Sequence, residues 1–181
     1  MKRLALAALM GILGAWTPLT AQVNPMEVSV DGGFTLQMLD DQENSTYLTV
    51  PFQRFRVGAG ITPQFSLEGM FRFNHESQGD FSGTLVSISP GLAYHFAGFD
   101  RESSRPYVGA FGSLTHVDSS SGAHSGGDTQ FGFGGALGIK LPFARAGFVR
   151  LEGAYTHYLE SDVFVSANEI GLSIGLGAVL N

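Results

Sequence analysis

Glu169-Ile170-Gly171-Leu172-Ser173-Ile174-Gly175-Leu176-Gly177-Ala178-Val179-Leu180 decides the fold of this chain. Ile170, Leu172, Ile174, Leu176, Ala178 and Leu180 share one side, while Glu169, Gly171, Ser173, Gly175 and Gly177 share the other. A two-residue period is that of a strand with unlike faces, not of a helix. The run is about as long as a strand that crosses a bilayer, and seven further stretches repeat the pattern upstream. Together they predict an eight-stranded antiparallel up-and-down transmembrane β-barrel, an all-β fold. Outside the N-terminus no apolar run approaches the roughly 20 residues of a membrane helix, and a closed barrel is the other structure that satisfies its backbone in lipid.

The N-terminus reads as a leader. Lys2 and Arg3 precede an apolar stretch from Leu4 to Trp16, followed by Pro18, Leu19, Thr20 and Ala21. This layout suits export and cleavage near Ala21. The expected organisation is a signal peptide over 1–21 and one barrel domain over 22–181. Losing Lys2 and Arg3 takes the formal charge from -6 to -8, which leaves no basic stripe for nucleic acid. The absence of cysteine rules out disulfides and thiolate metal sites. The 25 glycines and 15 phenylalanines favour sheet with close backbone contacts over a helical bundle.

Strand one is read over 27–39, with Val28, Val30, Phe34, Leu36 and Met38 outward. Strand two covers 47–61, turning Arg54 and Arg56 inward, with Pro51 near its rim. Strand three covers 65–74, with Glu68 and Arg72 inward, and strand four covers 84–96. Strand five, 106–117, is apolar or glycine on both faces, so its facing stays open. Strand six (131–141) brings Lys140 inward, and strand seven (148–158) brings Arg150 and Glu152. Short turns alternate with longer loops such as Asp118–Gln130 and Leu159–Ala167, as in a meander inserted from one side. Two aromatic girdles are expected, of Phe65, Phe96, Tyr107, Phe143 and Phe148 at one end and Tyr47, Phe73, Phe131 and Tyr158 at the other.

Over nearly all of the chain after its leader, the pattern resembles the small outer-membrane β-barrel family typified by OmpX, OmpW and the transmembrane domain of OmpA. The leader, the strand opening Arg105-Pro106-Tyr107-Val108-Gly109 and the run Gly171–Gly177 carry the likeness. Family members usually end in an aromatic residue, whereas Val179-Leu180-Asn181 stands here. The resemblance implies an outer-membrane location, reached through the periplasm, with membrane lipid, lipopolysaccharide and the barrel-assembly machinery as partners. A structural or surface-interaction role through four longer loops follows from it.

An eight-stranded lumen is narrow enough for side chains to fill. Arg56, Glu68, Arg72, Lys140, Arg150 and Glu152 are therefore expected to pair across it as a charged plug, since an unpaired buried ion costs several kcal/mol. A faint repeat supports this, Leu67-Glu68-Gly69-Met70-Phe71 recurring as Leu151-Glu152-Gly153-Ala154-Tyr155 on the opposite strand. Strands six and eight offer glycine troughs on which Phe148, Arg150, Glu152 and Tyr158 of strand seven can lie. A small cavity beside that stripe is equally compatible, and would admit a small apolar molecule as in OmpW-like barrels.

Three chemical readings stand beside these. His75-Glu76-Ser77 is similar to the His-x-Ser pair of lipid A deacylase barrels, with Gln78 where that family has Asn. His116, Asp118, Ser119–Ser121 and His124-Ser125 are triad residue types in a loop. Asp40, Asp41 and Glu43 are hard ligands suited to Ca²⁺, though solvated acids explain them as well. The expectation is no enzyme and no cofactor, and phosphate-loop and zinc signatures are missing. A secreted lipocalin is the remaining rival; it would turn the apolar stripes inward, but usually carries a Gly-x-Trp in strand one that has no counterpart after the leader.

Overall fold

The computed structural model describes residues 25–39, 45–78, 81–98, 102–121, 124–161 and 164–180. They form eight strands: β1 Met26–Leu39, β2 Ser45–Gly60, β3 Phe65–Gln78, β4 Phe81–His95, β5 Arg105–Ser121, β6 His124–Pro142, β7 Gly147–Tyr158 and β8 Ala167–Leu180. Each pairs antiparallel with its neighbours in chain order, and β1 pairs with β8 from Met26↔Leu180 to Leu39↔Ala167, which closes the barrel. The leader, the acids Asp40, Asp41 and Glu43, and the Gly79-Asp80 tip lie outside the described residues.

Two of the three connections at the end holding Met26 and Leu180 are tight, while the β4–β5 connection, 96–104, is longer and lies partly outside the described residues. The Thr62 hydroxyl accepts the Gln64 and Phe65 N–H groups at 3.3 and 3.0 Å. Gly98 takes φ +67°, a backbone setting that costs glycine little, and donates its N–H to the His95 carbonyl at 3.2 Å. The third turn is closed by Phe143 and Gly147. The β1–β2 register slips between Asp31 and Gly33, across the β2 stretch that contains Pro51, a residue with no N–H for the ladder.

Alternation sorts the chain into two faces of inverted polarity. Leu137, Leu172, Phe131, Ile174 and Phe133 are more than half exposed on the outside, whereas Asp31, Lys140, Arg105 and Arg150 are at most 2% exposed within. Only lipid makes such an arrangement favourable, because hydrating the apolar belt in water would be unfavourable over its whole area. β5 resolves its ambiguity by putting Arg105, Tyr107, Ser113 and Thr115 inside and Val108 and Leu114 outside.

Three expectations are corrected. The stretch Asp118–Gln130 is not a long loop, since β5 and β6 stay paired up to Ser121↔His124. Similarly, β3 runs four residues past Asn74 and pairs with β4 up to Gln78↔Phe81. Ser, Gly and Thr carry no hydrophobic alternation, yet a ladder already started in the barrel wall propagates through backbone bonds alone. The aromatic girdles are also thinner than expected. Tyr107, Phe148 and Tyr158 are buried in the lumen, leaving Phe65, Phe96, Phe143, Phe73 and Phe131 outside, while the Tyr47 side chain lies outside the described set. Glycine explains the inward turn: a Cβ on Gly138 would stand 2.5 Å from the Tyr107 ring, and one on Gly132 would stand 2.8 Å from Tyr158. Gly177 gives Phe148 the same berth.

Candidate functional site

The lumen is built from inward residues of all eight strands. Its floor, near the short turns, centres on Glu27 of β1, which accepts from Arg105 Nη1 and Lys140 Nζ, both at 2.5 Å. Lys140 also donates to Glu68 at 3.0 Å, and Arg150 reaches the same carboxylate at 3.2 Å. Above them, Arg56 makes a bidentate pair with Glu152, at 2.7 and 2.9 Å, and donates to Glu68 at 3.2 Å. Its Nε lies 3.3 Å from Asp31 Oδ2, and Tyr107 donates its hydroxyl to Glu152 at 2.5 Å. Four cations and four carboxylates thus interlock, with histidine left aside.

Two aromatic rings fill the gaps between the ions. Lys140 Nζ lies 5.3 Å from the Tyr107 ring centre and 5.8 Å from that of Phe148, and Arg105 approaches Phe148 at 5.5 Å. Arg150 faces both rings at 5.7 and 5.9 Å. In a water-poor lumen a cation over a π face recovers part of the hydration it has lost. His95, fully buried, meets the Ser66 hydroxyl at 3.0 Å.

Of the six residues singled out in the sequence, the structure brings Arg56, Glu68, Lys140, Arg150 and Glu152 together. Arg72 stands apart, 3.7 Å from Glu169 and facing a cavity of about 60 Å³ above the network. Glu27, Asp31, Arg105 and Tyr107 join the cluster without having been singled out. Parity was the available signal: Arg105, Ser113 and Thr115 share one face of β5, which commits Tyr107 to that face as well.

Of the histidines read as triad candidates, His75 and His116 lie on the outer wall, near the loop end. His75 Nδ1 meets Thr84 Oγ1, and His116 Nδ1 meets Thr129 Oγ1, each at 2.9 Å across a strand pair. His157 repeats the arrangement with Asn168 at 2.9 Å. His116 also lies 3.3 Å from Asp118, so paired strands fix this geometry, contrary to the flexible loop expected from the Ser and Gly content. The Glu76, Ser77, His124 and Ser125 side chains lie outside the described set. Between β7 and β8, Gln130 holds the connection by donating to the Leu159 and Val165 carbonyls at 3.0 and 3.1 Å.

Several solved barrels are similar to this one in fold. Neisserial surface protein A shares 18% identity at a TM-score of 0.66, covering 84% of this chain and 96% of that one. The N-terminal β-barrel domain of Pseudomonas aeruginosa OprF shares 16% at 0.57, covering 87% and 98%. Ail, the attachment invasion locus protein of Yersinia pestis, shares 10% at 0.56, covering 87% and 99%. No curated protein sequence matches significantly. The family model described as the outer membrane protein beta-barrel domain matches residues 4–177. With an apolar belt outside, ions inside and that match over almost its whole length, the chain belongs to the outer-membrane-protein β-barrel family.

Proposed function

We propose that this outer-membrane barrel is closed to steady conduction by its charged network and acts at the cell surface, through the β3–β4 and β5–β6 hairpins and the β7–β8 connection. The interlocked ions carry this reading. A conducting barrel needs a continuous water path, whereas here Arg56 spans from Asp31 and Glu68 to Glu152, and Tyr107 and Phe148 are buried beside the ions. Opening that path would separate desolvated pairs, each worth far more in a lumen than on a surface. A plug of mixed charge therefore supports a structural or recognition role over a porin role. The likeness in fold to a Neisserial surface protein and to an attachment protein points the same way.

In this reading residues 1–21 are a leader removed on export, the barrel-assembly machinery inserts the chain, and the outer belt contacts lipid and lipopolysaccharide. A barrel without catalytic activity fits this reading, since His75 and His116 are each bonded to a cross-strand threonine on the outer wall. Met70, Phe111, Ala136 and Ala154 also line the cavity, but an apolar guest there would strip water from Arg54, Arg72 and Glu169 without replacing its hydrogen bonds, which disfavours the apolar-ligand reading. Conductance across planar bilayers tests the plug. Wild type is expected to give no stable channel and Glu152→Ala to give intermittent current, since Arg56 loses its bidentate partner; a large ohmic channel in the wild type overturns the proposal. Proteolysis of whole cells tests which hairpins face outward.

A further inference from the structure

The lower network balances its charges, but the chamber above it does not. Arg54 of β2 and Arg72 of β3 are direct cross-strand partners, so two guanidiniums enter the lumen side by side. Like charges placed directly opposite on a sheet destabilise it. Among the described residues Glu169 is the one carboxylate within 4 Å of either, and it stands 3.7 Å from both, beyond hydrogen-bond length. Arg54 also reaches Thr35 Oγ1 at a long 3.4 Å. The Nε atoms of both arginines are buried without a hydrogen-bond partner. Two cations thus share one carboxylate, and neither is satisfied by it.

The space they face is suited to an anion. The cavity of about 60 Å³ is several times what a single water needs, about 10–15 Å³. Next to Arg72 its wall carries Ser87, the cross-strand partner of Arg72 on β4, together with Ser89 and Ser113, which with Thr115 form a cluster of hydroxyls bonded to one another at 3.0–3.4 Å. A hydroxyl rotates its proton to suit a neighbour, so this cluster can turn a donor toward a guest without leaving a polar atom unpaired. Guanidinium forks flanked by hydroxyl donors match the oxygens of a small oxyanion.

We propose that this upper chamber binds a small oxyanion, of the class of phosphate or a simple carboxylate, clamped by Arg54 and Arg72 beside the hydroxyl cluster and in competition with Glu169. The site goes beyond the plug below it and does not depend on whether the barrel conducts. The chamber lies inside the strand wall, away from the lipid that meets the outer face, so the guest is a free ion.

The test uses the full chain, folded in detergent, with thermal or urea unfolding followed at matched ionic strength in inorganic phosphate, acetate or chloride. Phosphate or acetate is expected to raise stability saturably over chloride, the stronger of the two naming the oxyanion class. Arg72→Gln should weaken that response roughly ten- to a hundredfold. Without oxyanion the same variant should be at least as stable as wild type, because the Arg54 and Arg72 repulsion is gone; this keeps loss of binding apart from loss of fold. Glu169→Gln should tighten binding by removing the competing carboxylate. An identical response to the three salts, or an Arg72→Gln response equal to that of wild type, overturns the proposal.

Discussion

Arg56 concentrates the chemistry of the lumen in one side chain. Its guanidinium serves Asp31, Glu68 and Glu152 at once, and it crosses the barrel from β2 to β7. Glu68 keeps Lys140 and Arg150 if Arg56 is removed, whereas Glu152 keeps the Tyr107 hydroxyl alone as a donor among the described residues and Asp31 loses its ion pair. Arg56→Met should therefore cost about 3–5 kcal/mol, the range for a buried ion left without its partner. Tyr107→Phe, which retains the ring that faces Lys140 and Arg150, should cost about 1–3 kcal/mol for one bond to a charged acceptor. Urea unfolding in detergent, read by the gel mobility of the unheated protein, gives both values. Equal costs for the two would show that ring packing, rather than the guanidinium, organises the lumen. At this scale the sequence told more about charge than about aromatics. An inward Arg, Lys or Glu betrays itself against an apolar face, whereas Tyr107 and Phe148 show their facing only through parity with charged neighbours and through the glycine troughs, because Phe and Tyr favour strands wherever they point.

Strand existence and strand extent were legible to different degrees. Each membrane-crossing segment alternates, so all eight could be found, and only β5 withheld its facing because Gly109, Ala110, Phe111 and Gly112 carry no contrast between faces. The hairpin extensions could not be read, since a Ser and Gly ladder such as Asp118–Ser121 against Ser125–Gly127 has no pattern beyond its backbone pairing. Glycine troughs lie between these cases: the sequence shows them, but only the neighbouring strand shows what rests in them. Gly138 and Gly69 separate the two roles. A methyl on Gly138 would press on the Tyr107 ring and on the Leu151 carbonyl at 2.7 Å, while one on Gly69 would meet nothing within 4 Å. Gly138→Ala is thus expected to destabilise by about 1–3 kcal/mol, the usual cost of overpacking. Gly69→Ala should be neutral or stabilising by about 0.4–1 kcal/mol through the unfolded chain. The same urea series decides it, and a loss at Gly69 matching that at Gly138 would refute the trough account.

For the whole molecule, the decisive property is the inversion of inside and outside, which a single substitution can probe. Ile174 lies midway along β8, pairs with Leu151 and Gly32, and is 58% exposed. In a soluble protein an exposed isoleucine exchanged for arginine shifts stability by no more than about 0.5 kcal/mol. Against hydrocarbon the same exchange near the bilayer midplane costs about 2–4 kcal/mol, falling toward zero at the interfaces. Ile174→Arg should therefore lower the stability of the barrel in lipid vesicles by that amount. Leu180→Arg, six residues nearer the end of the strand on the same face, should be tolerated far better. The depth dependence matters more than either value, because a lipocalin-like barrel in water has no midplane and would treat the two positions alike. Folding in vesicles of graded thickness sharpens the contrast: a thinner bilayer lets the guanidinium introduced by Ile174→Arg reach water and should reduce its cost, while the lumen variant Arg56→Met keeps its full penalty in every bilayer.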